Sequence, residues 1–156
     1  MAKNVFVSFD HDDAKQVGGF RLLKANPNYG LDFHDHSLRQ PVVGASGKPI
    51  KYPPSDPRSK PVRDEIKGKF ERSSKFVVLI GENTHNSEWV EWEINTFFEM
   101  KKPLSGDKTW KRIRGMLLKD QDKATIPSAL YNGRSTQWLS WDPEALDKWL
   151  DMDPDA

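Results

Sequence analysis

The segment that most constrains the fold of this chain is residues 75–81, where five apolar side chains follow one another between Lys75 and Gly81. The run does not alternate between apolar and polar residues, as a strand with one solvent-facing side does. A continuous apolar strand is typical of a parallel sheet that is covered by helices on both faces. Residues 75–81 are therefore predicted to form the central strand of an α/β domain.

Strand and helix patterns alternate along the rest of the chain. Strands are predicted at residues 4–9, 29–33, 112–118 and 136–141. Helices are predicted after the acidic cluster 10–13, after Ser59 with Val62, Ile66 and Phe70 inward, from Ser87 to about Lys101, and from Pro143 with Leu146, Trp149 and Leu150 inward. This order predicts a single domain over residues 1–156, with a flavodoxin-like open parallel sheet of about five strands and helices on both faces.

Residues 39–60 interrupt this pattern with a long loop. Prolines and glycines recur throughout the segment and argue against any regular element: Pro41, Gly44, Gly47, Pro49, Pro53, Pro54 and Pro57. A structureless loop of this length in a compact domain is usually functional, so the segment is a candidate lid or interaction arm. A tolerated insertion is the alternative. Residues 151–156 are predicted to be a polar tail.

Composition excludes several classes of function. The chain has no cysteine, which rules out a disulfide framework, thiolate catalysis and cysteine-bound zinc. Its 24 Lys and Arg residues nearly balance its 23 Asp and Glu residues, so no strong field attracts nucleic acid or an anionic membrane. The sequence shows no apolar signal region, no membrane-spanning stretch and no phosphate-binding glycine loop. We expect a cytoplasmic protein with no nucleic-acid or membrane partner.

Glu93 stands apart from the other acids of the helix that Ser87 opens. A helical wheel gives a buried face of Val90, Ile94, Phe97 and Phe98 and turns Glu88, Glu91 and Glu99 away from it. Glu93 falls at the margin of the apolar face beside Trp89, where a carboxylate is partly desolvated. Two interpretations stay open: a boundary glutamate that pairs with a neighbouring group, and a carboxylate in a cleft whose ionisation is tuned for chemistry.

Three segments carry a resemblance to a known family. They are residues 5–13, residues 33–37 and residues 78–94, and the last contains Ser87, Trp89 and Glu93 in the spacing Ser-x-Trp-x-x-x-Glu. Together they resemble the TIR-like proteins of bacteria and archaea, and within these the sensor component of the Thoeris anti-phage defence system. The resemblance extends from Asn4 to about Met100. In TIR domains that cleave NAD this spacing ends on the catalytic glutamate, so the resemblance implies that Glu93 is catalytic.

The resemblance also implies an activity and partners. It implies an NAD glycohydrolase or ADP-ribosyl cyclase that breaks the bond between nicotinamide and ribose. NAD is then the substrate, and neither a separate cofactor nor a metal is expected. Thoeris sensors make cyclic signals, so the implied product is a cyclic ADP-ribose-type nucleotide that acts on a downstream effector. The resemblance further implies self-association on activation and a phage-derived trigger.

Five further residues are candidates for substrate binding. Phe9 and Trp89 are candidates for stacking on an aromatic ring of the substrate, although aromatic residues in such positions more often belong to the core. Asp10 and Asp35 either orient the nucleotide or cap the helices that follow them. Ser87 belongs to the family motif and also caps its helix.

Two other functions remain as alternatives. The first is a TIR-like protein–protein interaction scaffold without catalysis, because a fold alone does not determine function. The second is a receiver-like phosphoacceptor, since Asp10 and Asp35 follow strands of a flavodoxin-like sheet, but the lysine and Ser/Thr that such a site needs are not identifiable. A metal site at His34 and His36 is not expected, because alternation along a strand separates these histidines from the neighbouring acids.

Overall fold

The computed structural model describes residues 3–9, 33–35, 52–118, 120–121, 123–131 and 137–152, and the predicted helix after residues 10–13 lies outside them. Within these residues the chain forms a five-stranded sheet in the order β2-β1-β3-β4-β5, and all its pairings are parallel. The strands are β1 (Lys3–Ser8), β2 (Phe33–Asp35), β3 (Lys75–Ile80), β4 (Ile113–Leu117) and β5 (Gln137–Leu139). The predicted class, an open parallel α/β sheet, is confirmed.

Strand β3 lies at the centre of the sheet, between β1 and β4, as predicted. All of its residues are buried. Phe76, Val78 and Ile80 belong to the core on one face of the sheet, whereas Val77 and Leu79 belong to the core on the other face. The unbroken apolar run therefore reflects two covered faces, as parallel sheets require.

Three α-helices in the described residues cover the two faces of the sheet. They are α1 (Lys60–Arg72), α2 (Glu88–Ser105) and α3 (Pro143–Asp151). Helices α1 and α2 share one face, where Phe70 and Phe97 pack edge to face with ring centroids 5.5 Å apart. Helix α3 covers the other face with the three residues predicted to point inward, Leu146, Trp149 and Leu150. None of the described helices is long and apolar enough to span a membrane.

The second strand differs from the prediction. Its described part is Phe33–Asp35, so the strand runs past Phe33, where the prediction for residues 29–33 ends it; residues 29–32 lie outside the described part of the chain. The polar residues His34 and Asp35, which were expected to follow the strand, therefore lie within it. Strand β2 is at the edge of the sheet and pairs with β1, and an edge strand accepts polar residues more readily than an interior strand does.

The loop predicted at residues 39–60 contains some regular structure near its end. Pro57–Ser59 form a turn of 3-10 helix, and α1 begins at Lys60. Proline is compatible with the start of a helix because the N–H that it lacks has no intrahelical partner there. Ser59 precedes α1 as predicted, but its hydroxyl donates to the carbonyl oxygens of Tyr52 and Pro53 and does not cap the helix.

Two helix ends also differ from the prediction. Helix α2 continues through Pro103 to Ser105, although the proline was expected to stop it near Lys101. Pro103 lacks the N–H that would bond the carbonyl oxygen of Glu99. Both residues are exposed, so water can bond that oxygen and the cost of the missing donor is small. At the other end of the chain, α3 includes Asp151, which the sequence pattern places in the polar tail.

Gly115 in β4 provides a test of the core packing. A Cβ at this position would lie 2.9 Å from Ile80 Cδ1, 3.0 Å from Trp138 Cβ and 3.1 Å from Leu130 Cδ1. We expect Gly115→Ala to lower the free energy of unfolding by about 1–3 kcal/mol, because the added methyl group overpacks the core. Gly68→Ala in α1 is the matched control, since the nearest atom to its Cβ is 4.0 Å away.

The control should raise the free energy of unfolding by up to about 1 kcal/mol, because alanine favours the helical backbone over glycine. Urea denaturation measures both variants. Equal stabilities of Gly115→Ala and the wild type would contradict the close packing of β4 against Ile80 and Leu130.

Candidate functional site

A buried hydrogen bond connects the carboxyl end of β1 to α2. Ser8, the last residue of β1, donates from Oγ to Oε1 of Glu93 over 2.8 Å, although the two residues are 85 positions apart in the chain. In open α/β sheets ligands bind beyond the carboxyl ends of the strands, where the strand order reverses. In this sheet that point lies between β1 and β3. Glu93 therefore lies at the edge of the sheet where this fold class binds ligands.

Glu93 is more deeply buried than its position on the helical wheel predicts. Its exposed fraction is 8%. The apolar stripe beside it is fully buried, as predicted: Val90, Ile94 and Phe97. Phe98, which was also predicted to be buried, is half-buried. The other acids of the helix are exposed, as predicted: Glu88, Glu91 and Glu99. The wheel thus separates Glu93 from the other acids correctly but underestimates how much solvent it loses.

Ser87 and Trp89 have structural contacts that fix the start of α2. The Ser87 hydroxyl oxygen accepts a hydrogen bond from the backbone N–H of Val90 over 3.2 Å and so caps the helix, as predicted. The indole N–H of Trp89 donates to the carbonyl oxygen of Tyr52 over 3.1 Å. Its ring packs edge to face on Trp92, with centroids 5.6 Å apart. Both residues therefore help to position the helical turn that precedes Glu93.

The contact at Tyr52 ties the end of the long loop to this helix. The Tyr52 carbonyl oxygen accepts from Ser59 as well as from Trp89. The guanidinium carbon of Arg58 lies 3.6 Å from the centroid of the Tyr52 ring. Arg58 also forms two side-chain hydrogen bonds with Asp56, of 2.8 and 3.0 Å. Residues 52–59 thus form a hydrogen-bonded segment that contacts α2 one helical turn before Glu93.

The remaining candidates do not join Glu93 in the described structure. Phe9 is half-buried and packs against the core beneath α3, on the opposite face of the sheet from Glu93. Asp35 pairs through its backbone with Val5, three residues before Ser8 along β1, and its side chain is outside the described structure. Asp10 lies outside the described residues. Their predicted roles in substrate binding remain predictions.

Ser8 is the contributor to this site that the sequence patterns missed. Its signal is weak, because a small polar residue at the end of an apolar strand is common. Alternation along β1 does put Ser8 on the same side of the sheet as Phe6, which belongs to the core under α1 and α2. This alternation indicates the face of the sheet on which Ser8 lies. It does not indicate that Glu93 is its partner, because that contact arises from the tertiary fold.

A comparison with protein families identifies the chain's relatives. The family model described as the TIR-like domain of the Thoeris protein ThsB matches residues 6–112, more than half of the sequence. The chain belongs to this family. The match includes both Ser8 and Glu93, and no curated protein matches the chain. The TIR-like resemblance stated from the sequence is confirmed, and membership of a Thoeris family supports involvement in anti-phage defence.

Burial changes the acidity of Glu93 in this TIR-like domain. Loss of solvent raises its pKa from the ordinary value of 4.5 to about 8, because the charged carboxylate is poorly stabilised in the core. The Ser8 hydrogen bond and the positive charge of Lys69 on α1 lower the pKa but do not outweigh burial. The protonated form of Glu93 therefore predominates at neutral pH. Among the described residues, no group of three acidic, histidine or cysteine side chains is arranged to hold a metal ion.

The raised pKa of Glu93 makes stability depend on pH. The stabilising contribution of the protonated group is fully present below the unfolded pKa near 4.5 and is lost as the pH rises through about 8. We expect Glu93→Gln to remove this loss, so that at pH 8 the variant is more stable than the wild type by as much as a few kcal/mol. Urea denaturation between about pH 5 and 8.5 measures the difference.

Glu91→Gln is the matched control, because Glu91 is exposed on the same helix. Its stability should follow that of the wild type at every pH. Parallel pH profiles of Glu93→Gln and the wild type would show that Glu93 does not titrate in this range.

Proposed function

We propose that this TIR-like domain is an NAD-processing enzyme that cleaves the bond between nicotinamide and ribose in Thoeris-type anti-phage defence. The observation that carries the proposal is the buried carboxyl group of Glu93, which Ser8 holds at the carboxyl end of β1. Catalytic sites frequently contain a buried carboxyl group with a shifted pKa, and Glu93 is such a group at the end of the sheet where this fold class binds ligands. The family match over residues 6–112 adds support.

In the proposed reaction the C–N bond between ribose and nicotinamide breaks, and nicotinamide leaves with the bonding electron pair as a neutral molecule. Positive charge then develops on the ribose, as it does in glycoside hydrolysis. The carboxylate of Glu93 stabilises this charge electrostatically or accepts hydrogen bonds from the ribose hydroxyls. Because nicotinamide is already cationic in NAD, it leaves without a general acid, and one carboxylate is enough.

The group that attacks the ribosyl carbon determines the product. Water gives ADP-ribose and a proton, whereas a nitrogen or hydroxyl of the same molecule gives a cyclic isomer and a proton. The near-complete burial of Glu93 supports the second outcome, because a site that excludes water favours an internal nucleophile. We therefore propose a cyclic ADP-ribose-type signal that acts on a downstream effector.

A second candidate, an interaction scaffold without catalysis, is favoured by the protonation of Glu93. A neutral carboxyl group lacks the charge that the proposed reaction needs. For the enzyme, we propose that self-association after a phage-derived trigger permits NAD to bind, and that the positive charge of the bound nicotinamide ring then changes Glu93 to its ionised form. A scaffold requires no such change, so variants of Glu93 separate the two functions.

Glu93→Gln tests the enzyme directly, since it keeps the shape of the side chain and removes its charge. We expect the rate of NAD consumption to fall at least about 100-fold, as is common when an electrostatic group at the reacting centre is lost. Glu91→Gln on the exposed side of α2 is the matched control and should keep the wild-type rate. Chromatography of released nicotinamide measures the rate, and mass spectrometry identifies the product.

The assay needs both purified monomer and forced oligomers, because an inactive resting monomer does not separate the two functions. If no form of the wild type consumes NAD while Glu93→Gln still protects cells against phage, the scaffold is the better description. Release of ADP-ribose alone by an active protein would contradict the cyclic product and leave the cleavage reaction in place.

The pH dependence of the rate provides another test. If ionised Glu93 is the active form, kcat/KM should rise with pH toward a midpoint near 8, because that ratio reports the ionisation of the free enzyme. Nicotinamide release at subsaturating NAD between about pH 6 and 9 measures this profile. A rate that stays constant across the range would argue against a carboxylate that must first lose its proton.

A further inference from the structure

We propose that Ser8 is a positioning residue for Glu93, whose hydroxyl holds Oε1 of the carboxyl group and thereby directs Oε2 toward the ribose of the substrate. This inference rests on the proposed function. The family motif points to Glu93 through its spacing on α2, whereas Ser8 reaches the site from a different element, over 2.8 Å. It therefore adds to the site a residue that acts through Glu93 and that the motif on α2 does not contain.

Ser8 is well suited to hold another side chain in place. Its exposed fraction is 1%, and its backbone pairs with Val78 of the central strand. A donor on an interior strand moves little, whereas a glutamate side chain has three rotatable bonds and loses considerable freedom when it is fixed. One hydrogen bond from such a donor is enough to select a single orientation of the carboxyl group.

The two oxygens of Glu93 differ in their surroundings. Among the described residues, Ser8 is the donor that hydrogen-bonds the carboxyl group, and it does so at Oε1. An ionised carboxylate has lone pairs for several hydrogen bonds. Oε2 is therefore the oxygen that remains for the ribose hydroxyls or for the positive charge that develops on the ribose.

The Ser8 hydrogen bond also favours the ionised form of Glu93. A hydroxyl donor lowers the pKa of the carboxyl group, as does the ammonium group of Lys69 on α1, while burial raises it. Removal of the Ser8 hydroxyl should therefore raise the pKa of Glu93 further and move the active form to higher pH. A serine that only fills space in the core has no such effect.

Three variants separate positioning from packing. Ser8→Ala removes the donor, and Ser8→Thr keeps a hydroxyl. Thr109→Val is the matched control, because Thr109 is fully buried and its hydroxyl makes one hydrogen bond, of 2.6 Å, to the carbonyl oxygen of Gly106. That contact precedes β4, at the amino end of the strands, whereas Ser8 is at the carboxyl end.

We expect Ser8→Ala to lower kcat about tenfold with little change in KM and to move the pH midpoint of activity upward. Ser8→Thr should restore both properties, and Thr109→Val should leave both unchanged. Carbon-13 NMR titration of the Glu93 carboxyl group, which needs no activity, should show a higher pKa in Ser8→Ala than in the wild type. Circular dichroism verifies that each variant is folded.

Two results would overturn the positioning role. One is an unchanged NMR pKa of Glu93 in folded Ser8→Ala, and the other is an active Ser8→Ala whose kcat and pH midpoint equal those of the wild type. An inactive wild type counts instead against the proposed function, and the NMR titration then still decides whether Ser8 holds Glu93. If Ser8→Thr does not fold, the comparison of Ser8→Ala with Thr109→Val decides.

Discussion

The requirement to cover β3 on both faces determines the arrangement of the rest of the domain. An interior strand with no polar face cannot remain in contact with water, so helices must pack above and below it. On one side α2 does so with Val90, Ile94 and Phe97, and this stripe sets the rotation of the helix about its axis. Glu93, directly before Ile94, is carried inward by that rotation and meets Ser8 at the end of β1. Packing of the core thus creates the site.

Most of the fold could be predicted because buried surfaces require apolar residues in a recognisable order along the sequence. The apolar run of β3 and the four-residue repeat of Val62, Ile66 and Phe70 each correspond to surfaces that are buried in the structure. The errors lie where no such pattern exists. Strand β2 is an edge strand that pairs with β1 through backbone hydrogen bonds, which do not depend on an apolar side-chain pattern. Pro103 is tolerated in α2 because the carbonyl group that loses its hydrogen-bond donor is at the surface.

The site was predictable only in part. The wheel and the family motif both single out Glu93, because each depends on spacing within one helix. Neither can show Ser8, since the contact joins two elements 85 positions apart and depends on how α2 packs on the sheet. The wheel also underestimates burial, because it represents α2 alone and omits the sheet, whose Ser8 contacts Glu93. Phe9 is a different case, because alternation along β1 is enough to place it on the opposite face of the sheet from Ser8.

Burial and chemistry make opposing demands on Glu93, and the charge of the proposed substrate reconciles them. In the free protein the carboxyl group is mainly protonated at neutral pH, whereas the proposed cleavage needs a carboxylate. The nicotinamide ring of NAD is cationic, and a positive charge close to a buried acid lowers its pKa. Substrate binding and loss of the Glu93 proton are then coupled, and by linkage each promotes the other. Under the proposed function, the same burial that suppresses the charge in the resting protein strengthens its interaction with the ribosyl cation once it forms.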